Sequence, residues 1–142
     1  MLFRSMDEYG FDSNEIIRKY FDDVMRISEF YNLKILLKFK RGNYYRNPAQ
    51  VDYVDKIAKE LPEKLEIIDT QISPIKLIDK ATLVVCKPYS TIGFISANHL
   101  RPTVQYNASS FKLLDNYHSK RLINLANGYS ELETMCKKLI IQ

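Results

Sequence analysis

With 142 residues, 46% of them hydrophobic and 27% charged, and with only 4 Gly and 5 Pro, the chain has the size and make-up of one folded domain, which excludes a disordered or low-complexity protein. Its 21 basic residues exceed the 17 acidic ones by a formal +4, but the two signs are interspersed, so the charge favours phosphates or an anionic surface without identifying a partner. Cys86 and Cys136 stand far apart with no Cys or His at metal-ligand spacing, so neither a disulfide framework nor a metal site is expected.

In chain order, residues 2–6 read as a short first strand. Asp12 and Glu15 resemble a capping box that opens a helix to Tyr31, with Ile16, Ile17, Tyr20, Phe21, Val24, Ile27 and Tyr31 at helical spacing. Residues 33–39, LKILLKF, form a short apolar run that predicts a buried strand. A loop over 40–47 turns at Gly42, and Pro48 suits the first position of a helix to Leu61. Residues 65–69 predict a third strand, and Ser73-Pro74 an N-cap followed by Pro at the first helical position, for a short helix to Lys80.

Residues 82–86 then predict a strand, 91–99 a helix and 103–106 a further strand. Beyond Asn107 the pattern predicts helices over 119–127 and 130–140. Strands separated by helices require crossovers, which are right-handed in a parallel sheet. The expected fold is α/β, a three-layer Rossmann-like sandwich with a mostly parallel sheet of four to five strands and C-terminal helices, forming one domain over residues 1–142. No apolar stretch approaches the ~18 residues that span a bilayer, and residues 1–10 do not read as a signal peptide, so a soluble cytoplasmic protein is expected.

Ligands of open α/β sheets bind beyond the carboxyl ends of the strands. The loops expected there offer Lys40, Arg41, Arg46 and Lys87 as cations, Ser73, Ser90 and Thr91 as hydroxyls, and Tyr44, Tyr45 and Tyr89 as flat surfaces. Lys38 stands within the strand before the first of these loops. The corner Lys87-Pro88-Tyr89-Ser90-Thr91 opens a helix, where free N–H groups and the helix dipole favour an anion. Simple capping suits Ser90 and Thr91 equally well.

The run over 72–106, ISPIKLIDKATLVVCKPYSTIGFISANHLRPTVQY, resembles the C-terminal lobe of bacterial surface-polysaccharide proteins with a Pro-Phe-Thr-Ser signature, which are similar to GT-B glycosyltransferases. The resemblance covers residues 33–107, including the basic LLKFKR at 36–41. The signature reads Pro88-Tyr89-Ser90-Thr91 here, and Asn98 to Arg101 stand where relatives usually place a Gly before the Pro of the last strand. The resemblance implies a donor-binding lobe for a nucleotide-activated sugar, with Lys38, Arg41, Ser73, Pro88, Tyr89, Ser90 and Thr91 at the phosphates and nucleotide, and with no cofactor. It also implies an N-terminal acceptor lobe or partner chain, since no residue here matches a catalytic base, and peripheral proximity to a membrane. No basic helical stripe or RNA-binding motif points to nucleic acid. The alternative is a non-catalytic α/β module that docks through an apolar face built from residues such as Phe111, Leu132, Met135 and Leu139.

Overall fold

The computed structural model describes residues 2–3, 14–38, 48–69, 71–88, 90–113 and 124–140. The elements run β1 (Leu2–Phe3), α1 (Asn14–Tyr31), β2 (Ile35–Lys38), α2 (Pro48–Glu60), β3 (Leu65–Ile68), α3 (Pro74–Ile78), β4 (Val84–Cys86), α4 (Thr91–Asn98), β5 (Thr103–Asn107), β6 (Asn124–Asn127) and α5 (Tyr129–Ile140). The expected Asp12 cap and the 40–47 loop lie outside the described residues.

The strands form one six-stranded sheet in the order β3-β2-β1-β4-β5-β6, and every pair is parallel. The count exceeds the expected four to five because residues 124–127, predicted as the end of a helix, form β6 instead. Asn and Ala carry little strand propensity. What holds this edge is pairing to β5, reinforced by the Asn124 amide donating to the Thr103 carbonyl at 3.0 Å.

Strand alternation divides the core between two faces. Ile35, Leu37, Leu65, Val85, Val104, Tyr106 and Ala126 pack with α1, α2 and α5 residues, among them Phe21, Val54 and Leu132. Val84 and Cys86 turn the other way, against Leu77, Ile78 and Ile92 of α3 and α4. The three layers follow from direction of travel: β1 to β3 advance one way along the sheet and β4 to β6 the other, so right-handed crossovers put the two sets of helices on opposite faces. The apolar residues of α5 are absorbed in this packing: Leu132 and Cys136 are buried, and Met135, Leu139 and Ile140 lie against the core.

Helix ends are set by local chemistry. The Leu33 and Asn32 amides bond the Ser28 and Glu29 carbonyls at 2.8 and 3.3 Å, a Schellman closure with Asn32 left-handed at φ 53°. The same closure ends α4, where the Arg101 and Leu100 amides reach Ser96 and Ala97 at 3.1 and 3.0 Å. Its left-handed residue is Leu100, at φ 58°. Among the described residues no helix is long and apolar enough to cross a membrane.

Candidate functional site

In this strand order β2 flanks β1 on one side and β4 on the other, so the β1/β4 boundary is the topological switch point, outside whose carboxyl ends ligands of open α/β sheets bind. The corner after β4 stands at this switch point. Val84 pairs with Leu2 and Leu36 pairs with Leu2, which puts Cys86 and Lys38 at one level, two strands apart or about 10 Å. Lys87 is the next residue along.

Both lysines are buried, Lys87 at 1% and Lys38 at 8% exposure, and both are engaged in interactions with the protein. An ammonium withdrawn from water loses hydration worth several kcal/mol.

The corner itself is tight. The Ser90 amide bonds the Lys87 carbonyl at 3.2 Å, and the Gly93 amide bonds the Ser90 carbonyl at 3.1 Å as α4 begins. Pro88 is buried and Thr91 exposed. Ser90 occupies the N-cap at φ −69°, ψ 133°, yet its side chain makes no capping hydrogen bond. Its hydroxyl, within a residue 3% exposed, is thus not committed to the role that most often explains a Ser here.

Gly93 sets how closely α4 lies on the sheet. A Cβ there would stand 2.6 Å from Gln105 Nε2 and 3.0 Å from Cys86 Sγ. Sequence reasoning overlooked this residue, although a glycine inside a predicted helix signals close approach. Beneath α4, β5 presents polar residues: Thr103 donates to Ser96 Oγ at 2.7 Å, and Gln105 and Asn107 are fully buried.

Asn107 and Asn127 end β5 and β6 at paired positions. The Asn107 amide donates to the Phe111 carbonyl at 2.5 Å and to Asn127 Oδ1 at 2.8 Å, while its own oxygen accepts from the Ser109 amide at 3.0 Å. Asn127 receives the Leu113 amide at 2.9 Å and donates to its carbonyl at 3.1 Å. These side chains pin residues 108–113 to the carboxyl edge. Asn127 was not singled out as a site residue, because it fell in a predicted helix and nothing in the spacing links it to Asn107.

Among the sequence-predicted residues, Lys38, Pro88, Ser90 and Thr91 share this edge with Lys87. Ser73 also lies on it, at the start of α3, but is exposed and makes no capping bond. Arg41 and Tyr89, like Lys40, Tyr44, Tyr45 and Arg46, lie outside the described residues.

The model of the polysaccharide biosynthesis PFTS motif proteins matches residues 4–136. The chain belongs to this family. The match reaches well beyond residues 33–107 to take in α1, β6 and most of α5, so the whole sheet from β2 onward falls within it. No curated protein and no solved structure matches the chain significantly. Family membership assigns the protein to polysaccharide biosynthesis.

Proposed function

We propose that the carboxyl edge at the β1/β4 switch point binds the phosphates of a nucleotide-activated sugar, and that the chain is the donor-recognition lobe of a GT-B-like glycosyltransferase acting in bacterial surface-polysaccharide assembly. The observation that carries this reading is the pair of buried lysines, Lys38 and Lys87, flanking a helix start whose N-cap Ser90 makes no capping bond. Cations and free amides stabilise a bound diphosphate, and they also stabilise a departing one, which is what sugar transfer from a nucleotide demands. The acceptor and the base that activates it come from another lobe or chain.

The test is thermal unfolding with UDP, CDP, CMP and pyrophosphate, since a ligand that binds only the folded state stabilises it by about 2.7 kcal/mol at a hundredfold excess over Kd. Ser90→Ala removes one hydrogen bond to a charged group, about 1.5–3 kcal/mol, and should weaken binding accordingly. An unchanged melting temperature with all four compounds would sink the proposal.

A further inference from the structure

We propose that Phe111 is a stacking platform for the planar base of a nucleotide whose phosphates occupy the Lys87–Ser90 corner; the inference rests on the phosphate reading above. The Phe111 side chain belongs to a residue 78% exposed, on the edge of the sheet where that corner lies. Its backbone is not correspondingly free. The Phe111 carbonyl accepts from Asn107 Nδ2 at 2.5 Å and from Ser109 Oγ at 3.3 Å, and Leu113 two residues on is held through both its amide and its carbonyl by Asn127.

Asn107 is itself fully buried, so the fold uses an interior amide to hold the chain beneath a ring left in water. The other large exposed aromatic among the described residues, Phe30, stands at the opposite edge, at the end of α1, with its ring edge-on to Tyr31 at 4.9 Å. Phe111 therefore joins an exposed π face to a fixed backbone on the ligand edge. The 108–113 loop and the corner after β4 leave neighbouring strands, about 4.8 Å apart, so the loop is within reach of the ribose and base of a ligand held at the corner by phosphate. Stacking on an aromatic face is indifferent to base identity, and uridine and cytidine compounds should depend on Phe111 alike.

Isothermal titration of UDP, CDP and pyrophosphate against the wild-type chain and Phe111→Ala, Phe111→Leu and Phe111→Tyr tests this. Loss of a base–aromatic stack weakens binding about 5- to 150-fold. That loss is expected for both nucleotides with Phe111→Ala and Phe111→Leu, with Phe111→Tyr near wild type and pyrophosphate unchanged throughout. Wild-type nucleotide affinity in Phe111→Ala, with pyrophosphate still bound, overturns the stacking role and leaves the phosphate reading intact. Equal weakening of pyrophosphate and nucleotide overturns it as well, because Phe111 would then act through the loop rather than on the base. If wild type binds neither pyrophosphate nor nucleotide, the phosphate reading falls first and this inference with it.

Discussion

Replacing Gly93 by Ala tests whether the Ser90 corner depends on close seating of α4. The new methyl group would lie 2.6 Å from Gln105 Nε2 and 3.0 Å from Cys86 Sγ, both inside normal contact distance. Ala is the better helix former by about 1 kcal/mol in a helix interior, and by less in the first turn where Gly93 sits. Overpacking a filled interior costs about 1–3 kcal/mol. The Gln105 amide is the flexible end of its side chain, but it is fully buried with little room to withdraw, and the Cys86 sulfur sits on a short strand stem. Overpacking should win, leaving a net loss of about 1–2 kcal/mol, or a melting temperature lower by about 3–7 °C for a domain of this size. Displacement of α4 should also weaken nucleotide binding. In Gly93→Ala/Gln105→Ala the nearest clash is gone, and the two changes should couple by at least 0.5 kcal/mol. A melting temperature that stays level or rises in Gly93→Ala would refute the reasoning, since helix propensity would then outweigh contact with β5.

Three further outcomes are expected. Leu100→Gly should raise stability by about 1 kcal/mol in urea unfolding, because an 88% exposed Leu at φ 58° makes little packing to lose and its Cβ opposes the left-handed backbone. Tyr106→Phe should cost about 1.5–3 kcal/mol by the same assay, since the Tyr106 hydroxyl donates to Asp23 Oδ2 at 2.5 Å and joins β5 to α1 beneath the Lys19–Asp23 ion pair; an unchanged urea midpoint would show that Lys19 alone satisfies the carboxylate. Stability should also fall with alkaline pH. Burial pushes the Cys136 thiol from 9.0 up to about 12, while burial and then the hydrogen bond to Asp22 push the Tyr53 phenol from 10.0 up to about 12; Tyr20, Tyr106 and Tyr129 rise too, chiefly through burial. Groups whose folded pKa exceeds the unfolded value contribute fully below about pH 9 for the thiol and 10 for the phenols, and that contribution is lost as pH climbs toward 12. Urea midpoints that stay level between pH 8 and 11 would contradict this.

Much of the fold was legible because apolar periodicity and the Pro boundaries agreed with one another. Pro48 and Pro74 begin α2 and α3, and the helical stripe from Ile17 to Ile27 is the buried face of α1. Residues 124–127 misled because their strand state belongs to the tertiary structure: β5 offers an open ladder, the Asn124 amide donates to the Thr103 carbonyl and Asn127 Oδ1 accepts from the Asn107 amide, none of which local propensity records. At the site, the Ser90 corner was legible as a helix start. Burial of Lys38 was not, since a lysine ending a strand is ordinarily solvent-facing and only the sheet order reveals that its strand is internal. Gln105 read as an ordinary β5 residue because alternation marks which face it takes but not that α4 covers that face with Gly93 and Ser96, and Asn107 lay just past the predicted end of the strand.

The two faces of the sheet divide the work unequally. The α1, α2 and α5 side holds the larger apolar core, with Ile17, Phe21, Val24, Ile27 and Leu132 against β2, β4 and β5. The α3 and α4 side has a smaller one, and under α4 its strand surface is Thr103, Gln105 and Asn107, so hydrogen bonds take the place of hydrocarbon contact there. Apolar packing tolerates substitutions of similar volume, whereas a buried polar network fixes position because each unsatisfied member costs about 1–3 kcal/mol. The polar half is the half that supports both the Ser90 corner and the Phe111 loop. A core optimised for hydrocarbon burial beneath α4 would stabilise the domain yet lose Asn107, the residue that fixes the Phe111 backbone, so the polar face of β5 is best understood as position held at the expense of stability.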